Sequence, residues 1–168
     1  MDIEAELLDT NSRETWNKVI EYIGEDVERF DTLIQLFLNG ETRAVQRASQ
    51  PIGVIGEKQP KLVTPYLPEI VAYLKSDPLD AVKRNTMRFF QFIEIPEELE
   101  GDLFEISMQF LSDAETAIAI KAFSMTTARR ICEKYPELAT ELIHQIEILV
   151  RENVSAGVTN RGQHELVK

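Results

Sequence analysis

The feature that most constrains this chain is a repeated pattern of apolar residues, turns and prolines with a period close to 37 residues. An alanine followed by a β-branched residue recurs at Ala44, Ala81 and Ala119, at intervals of 37 and 38 positions. Around each alanine, apolar residues recur at spacings of three and four, which is typical of helices. Because one helix pair cannot bury both of its apolar faces, the period predicts helix pairs that stack on one another.

The ends of the stack can be placed from the same pattern. We expect a first helix with Trp16 and Ile23 on one face, capped by Asn11, and a helix over 42–58 that contains Pro51. A last helix carries Leu142 to Val150, and the first and last helices would close the two ends. After Asn153 the chain is polar and contains two glycines. We therefore predict one helical-repeat domain over 1–153 and a flexible C-terminal tail over 154–168.

Residues 74–83 read Leu-Lys-Ser-Asp-Pro-Leu-Asp-Ala-Val-Lys. This segment resembles the turn of a HEAT repeat, where an Asp-Pro pair leaves the first helix and a Val-Lys or Val-Arg pair opens the second. The other two repeats keep the length and the apolar anchors but lack the Asp-Pro pair, and the resemblance covers residues 26–153. It implies an all-α fold, a right-handed α-α superhelix of the HEAT/armadillo kind with about four helix pairs. An irregular helical bundle with a chance period is the alternative.

The net charge, the lengths of the apolar runs and the single cysteine restrict the environment and the partners of the protein. The 168 residues carry a net charge of −11, which disfavours binding to nucleic acid and to anionic membranes. No apolar run approaches the roughly 20 residues of a membrane span, and the acidic N-terminal residues do not form a secretory signal. The single cysteine, Cys132, cannot form an internal disulfide. We therefore expect a cytoplasmic protein.

The charges are distributed unevenly between the helices. Residues 1–40 carry ten Asp and Glu against three Lys and Arg, whereas the second helices of the repeats are rich in Lys and Arg. The resemblance implies that second helices line the concave face, so we predict a basic strip there that binds an acidic peptide segment or another protein. The predicted contact residues are Arg47, Lys83, Arg84, Arg88, Lys121 and Arg129. Two alternatives stay open: these cations pair with Asp or Glu of the next repeat in a structural ladder, or they are merely solvated.

No combination of residues points to catalysis. The two histidines, His144 and His164, form no Cys/His cluster at zinc-ligand spacing, and Gly53-Val-Ile-Gly56 lacks the lysine of a phosphate-binding loop. Cys132 fits a buried structural thiol. We predict a non-catalytic scaffold or adaptor with no cofactor and no metal. The alternatives are a nucleic-acid-binding protein, like the DNA glycosylases built from HEAT-like repeats, and a homodimer or larger homo-oligomer formed through an end of the stack.

Overall fold

The computed structural model describes residues 1–168, and every regular element in it is a helix. It also contains two 3₁₀ turns, Thr64–Tyr66 and Pro136–Leu138. The chain divides into two compact units, Met1–Phe89 (unit 1) and Phe90–Lys168 (unit 2). The α-helices are α1 (Ile3–Asp9), α2 (Arg13–Ile23), α3 (Val27–Asn39), α4 (Thr42–Lys58), α5 (Pro60–Val63), α6 (Leu67–Lys75), α7 (Asp80–Phe90), α8 (Glu97–Ser112), α9 (Ile118–Lys134), α10 (Ala139–Glu152) and α11 (Ala156–Leu166).

Helix boundaries follow local chemistry. Four helices begin after a residue whose side chain accepts a hydrogen bond from the backbone amide three residues further on, which satisfies one otherwise free N–H group. These capping residues are Asp2, Ser12, Asp26 and Ser155. The predicted cap of the first long helix was Asn11, and Ser12 takes that role instead. The helix predicted over 42–58 is confirmed, with Pro51 inside it.

The core of unit 1 forms where α3 and α4 pack together and α1 and α2 cover them. Phe30, Leu33, Ile34 and Phe37 on α3 are fully buried. Helix α4 comes very close to α7, because a Cβ added at Gly56 would lie 2.5 Å from the Cδ1 atom of Phe89. A glycine at this position is therefore what allows the two second helices to approach each other.

Unit 2 is built from α8, α9, α10 and α11, with α9 in contact with each of the other three. The structure differs here from the tail predicted over 154–168, since residues 156–166 form α11 and Val158 is fully buried. Gly162 is the physical reason why the prediction of a flexible tail was wrong. A Cβ at this position would lie 2.6 Å from Val150 Cγ2, so the glycine is a close-packing residue rather than a sign of flexibility. Because the remaining residues of α11 are mostly polar, the sequence pattern did not reveal its packed face.

Each helix that was predicted to close an end of the stack has a partner in the structure. Helix α1, which the sequence pattern did not reveal, buries Ile3 and Leu7 and packs against α2. Helix α11 packs against α10 in the same way. Because α1 precedes α2 and packs against it, α2 is the second helix of its own pair. The second helices of unit 1 are thus α2, α4 and α7.

Candidate functional site

The predicted basic strip contains one residue that the structure removes from any surface. Lys121 is 2% exposed. Its Nζ donates to the carbonyl oxygens of Phe110 (3.2 Å), Leu111 (3.2 Å) and Asp113 (2.5 Å). Those carbonyls lie at the end of α8 and in the turn after it, where a helix has no donors of its own. The assignment of Lys121 to a partner-binding face is therefore wrong, because its ammonium group is buried and donates to backbone carbonyls inside unit 2.

Lys83 also binds the turn that precedes its own helix. Its Nζ lies 2.5 Å from the carboxylate of Asp77 and 3.9 Å from that of Asp80. Asp77 has a φ of 56°, in the left-handed region, and it precedes Pro78. The lysine thus holds a carboxylate in a turn whose backbone is uncommon for a residue other than glycine. Lys83 therefore forms ion pairs within its own repeat, whereas the sequence alternative was a ladder between neighbouring repeats.

The other four residues of the predicted strip have different environments. Arg88 is partly exposed, and its Nη2 lies 2.7 Å from Oε2 of Glu57. Arg84 is exposed, while Arg47 and Arg129 are half-buried. The Nη1 atom of Arg47 is itself buried. That these arginines contact a partner stays a prediction.

Unit 1 contains a groove of about 330 Å³ on its second helices. Its apolar floor is formed by Trp16 and Ile20 of α2 and by Val54 of α4, all of them half-buried. These residues lie one helical turn apart on facing helices, so their side chains meet along one seam. The complete lining is Arg13, Trp16, Asn17, Ile20, Gln50, Val54, Lys58 and Arg88. We call this surface the unit 1 groove.

Three cationic side chains surround the floor of the unit 1 groove. Arg13 and Lys58 are exposed, and neither makes an ion pair. Arg88 is held in place by Glu57. No acidic residue lines the groove. In a chain with a net charge of −11 the groove is thus a local region of positive charge.

Sequence reasoning found Arg88 but missed Arg13 and Lys58. It placed Trp16 and Ile20 on the same inward face of the first helix as Val19 and Ile23. In the structure Val19 and Ile23 are fully buried, whereas Trp16 and Ile20 lie on the neighbouring, half-buried stripe. The available signal was the spacing of residues 13, 16, 17 and 20, which defines a second stripe one position away from that of residues 15, 19 and 23.

Comparison with known protein families supports the helical-repeat fold. Residues 3–166 match a family described as a HEAT repeat domain. The chain belongs to the HEAT repeat family. The fold class predicted from the sequence, an all-α solenoid of HEAT repeats, is confirmed, and proteins of this family are in general interaction scaffolds. Neither the curated proteins nor the solved structures include a match.

The HEAT repeats of unit 2 use their charged groups internally. The buried carboxylate of Glu100 accepts hydrogen bonds from Lys134 Nζ and from Tyr135 Oη (2.8 Å), and the bond from Lys134 lowers the pKa of Glu100. Arg130 donates to the carbonyl oxygen of Phe90 (2.7 Å). Arg161 Nη1 donates to the side chains of Gln91 and Thr126 and to a backbone carbonyl oxygen. These cations stabilise the fold of unit 2.

Burial raises the pKa of the Cys132 thiol, which is therefore protonated and poorly reactive. None of the helices combines the length and the apolar composition that crossing a bilayer requires.

Proposed function

We propose that this HEAT repeat protein is a non-catalytic interaction module, a scaffold or adaptor, that binds an acidic segment of a partner protein on the second helices of unit 1. One observation carries the proposal. The unit 1 groove combines an apolar floor with cations at Arg13 and Lys58 that make no ion pair. Cations that a fold does not use internally are available to a ligand.

Charge complementarity selects the class of partner. A cationic groove on an otherwise acidic surface attracts a carboxylate-rich segment at close range, while the surrounding charge repels polyanions that spread beyond the groove. The partner of this proposal is therefore a compact acidic stretch of protein. The proposal includes a cytoplasmic location, which the buried and unbridged Cys132 supports.

The absence of a catalytic role is also part of the proposal. The ionisable groups with the most unusual environments are Glu100, Lys121 and Glu165, and each is bonded to structural partners. Burial lowers the pKa of Lys121, but its ammonium faces three backbone carbonyls rather than a cleft. Their perturbed pKa values therefore have structural causes.

The proposal is tested by affinity capture with matched charge variants. The immobilised full chain, an Arg13→Glu/Lys58→Glu variant and an Arg43→Glu/Lys61→Glu control are exposed to nuclease-treated lysate of the source cells. Arg43 and Lys61 are exposed residues of unit 1 outside the groove. We expect proteins that the wild type and the control retain and the groove variant loses. Identical retention by all three chains would contradict binding at the groove.

Nucleic acid is a second candidate, because the only tryptophan of the chain lies among the groove cations. An aromatic ring beside Arg and Lys can stack on an unpaired base. A labelled single-stranded oligonucleotide separates the two candidates. Binding at about 50 mM salt that disappears in the Arg13→Glu/Lys58→Glu variant would favour nucleic acid over an acidic protein segment.

A further inference from the structure

The size and the shape of the unit 1 groove restrict what an acidic partner can place in it. A volume of about 330 Å³ is at the lower end of the range for ligand clefts, roughly 300–1,000 Å³. Its floor is a single apolar seam formed by Trp16, Ile20 and Val54. A folded domain cannot enter such a space, whereas one apolar side chain projecting from a short segment can.

The cations lie on different helices around that floor. Arg13 belongs to α2, Lys58 to the last turn of α4, and Arg88 to α7. Because an apolar side chain on the floor has cations from three helices around it, carboxylates on both sides of that side chain can reach a positive group. Arg88 is bound to Glu57, so Arg13 and Lys58 are the cations that are available to a ligand.

The groove also offers polar groups to a backbone. Asn17 and Gln50 line it with amide groups that can both donate and accept hydrogen bonds. Asn17 is exposed and Gln50 is half-buried. An extended segment that places a side chain on the floor would bring its own N–H and C=O groups to these two residues.

The cavities of unit 2 lack this combination. The cavity beside Glu100 is lined by the acids Glu94 and Glu133 as well as by cations, and Lys134 in it already binds Glu100. The cavity beside Phe92 contains Arg161, whose Nη1 donates three hydrogen bonds within unit 2. Of these surfaces, the unit 1 groove is the one with cations left for a ligand.

We infer that the unit 1 groove recognises a short acidic segment with one apolar anchor residue and carboxylates on both sides of it. The anchor sits on Trp16, Ile20 and Val54, and the carboxylates pair with Arg13 and Lys58, the two groove cations that make no ion pair. This inference rests on the proposed function and adds to it the requirement for an anchor. Charge brings the segment to the groove, and burial of the anchor holds it there.

The intrinsic tryptophan fluorescence of the chain can report this binding. Trp16 is the only tryptophan and lies on the floor, so covering it shifts its fluorescence emission. Three synthetic peptides without tryptophan are titrated into the full chain: Glu-rich with a central Leu, Glu-rich with a central Ala, and Gln-rich with a central Leu. We expect the Glu-Leu peptide to bind about tenfold more tightly than the Glu-Ala peptide, since the anchor loses its burial in alanine.

The Gln-Leu peptide is expected to bind at least about fivefold more weakly than the Glu-Leu peptide. Binding of the latter should weaken when salt rises from about 50 to 500 mM. An Arg13→Gln/Lys58→Gln variant should lose about tenfold in affinity for the Glu-Leu peptide, while an Arg43→Gln/Lys61→Gln control binds it like the wild type. Circular dichroism is the control, and both variants should keep the helix content of the wild type.

The outcomes separate this inference from the proposed function. Equal binding of the Glu-Leu and Glu-Ala peptides would overturn the anchor and leave an acidic partner in place. If no peptide binds but the capture experiment still depends on Arg13 and Lys58, the inference is wrong and the proposed function stands. If neither experiment depends on those residues, both fail. The inference would also be overturned if a single-stranded oligonucleotide bound the unit 1 groove more tightly than all three peptides do.

Discussion

Lys83 in unit 1 and Lys121 in unit 2 lie at the same position of two consecutive repeats, two residues after Ala81 and Ala119, and their environments differ sharply. Lys83 is half-buried and binds the carboxylate of Asp77, which is 85% exposed. Lys121 is 2% exposed and binds three backbone carbonyls. Both lysines hold the turn that precedes their helix, but only one of them does so at the surface.

The difference extends to the two units. Unit 1 brings its second helices together through small residues such as Gly56 and leaves Arg13 and Lys58 without ion pairs at a groove. Unit 2 uses Lys121, Arg130 and Arg161 to satisfy backbone and side-chain acceptors. A cation on a second helix is therefore available to a partner only where the fold around it has no acceptor to satisfy.

The largest effect that this comparison predicts is at Lys121. Changing Lys121→Met removes a buried ammonium group that donates to three carbonyls, although Leu111 keeps a bond from Gln145 Nε2 and Asp113 keeps one from the Thr116 amide. Hydrogen bonds that involve a charged group contribute about 1.5–3 kcal/mol each. We expect the free energy of unfolding to fall by about 3 kcal/mol, measured by urea denaturation followed by circular dichroism. A loss below about 1 kcal/mol would show that water replaces the ammonium, and the contrast with Lys83 would disappear.

The next largest effect concerns the close packing of unit 1. We expect Gly56→Ala to destabilise the protein by about 2 kcal/mol, because the new Cβ meets the ring of Phe89. Gly101 on α8 is the matched control, since a Cβ there meets nothing within 4 Å. Gly101→Ala should stabilise by up to about 1 kcal/mol through helix propensity. The same denaturation experiment measures both, and equal effects would contradict the close approach of α4 to α7.

Glu165 tests how polar groups hold the last helix of unit 2. Burial raises the pKa of Glu165, but the hydrogen bond from Thr126 and the ion pair with Lys168 outweigh it and lower the pKa overall. Because this pKa is lower in the folded state, the ionised carboxylate stabilises the fold at pH values above the pKa of the unfolded state. This stabilisation is lost as the pH falls below about 5. We expect Glu165→Gln to lower the free energy of unfolding by about 1–2 kcal/mol at pH 7.

The pH dependence supplies the sharper measurement for Glu165. The cost of Glu165→Gln should shrink between about pH 5 and pH 3, because the wild type loses the same contribution in that range. Glu147→Gln, an exposed residue of α10, is the control and should change the stability at pH 7 by less than about 0.5 kcal/mol. A cost of Glu165→Gln that is constant from pH 7 to pH 3 would show that the charge of Glu165 does not hold α11.

The smallest effect is expected at Lys83. Because the carboxylate that it binds is largely exposed, solvent screens the pair, and Lys83→Met should cost no more than about 1 kcal/mol. Urea denaturation at low and high salt measures this, and the cost should decrease at high salt. A loss as large as that of Lys121→Met would mean that the two turns depend equally on their lysines.

The sequence predicted the class of fold and most of its helices, but the site only in part. Helix 42–58 and the stacking period could be predicted because apolar spacing and proline positions act within a few residues of each other. Helix α11 could not, because Gly162 indicates a helix only once the neighbouring Val150 is in place. Arg13 could have been found from its i, i+3 spacing to Trp16 on α2, but Lys58 could not, because it lies on α4 and nothing in the linear order brings it to Trp16.

What the sequence by itself determined about this protein is local: which segments are helical, where the turns fall, and that helix pairs repeat and must stack to bury their faces. The tertiary structure alone decided which cations are available. Lys83 and Lys121 share a repeat position, and Trp16 shares a helix with the buried Val19, yet their exposures differ. The physical reason is that burial and hydrogen-bond partners depend on residues from other helices, whose distance in space the spacing along one helix does not encode.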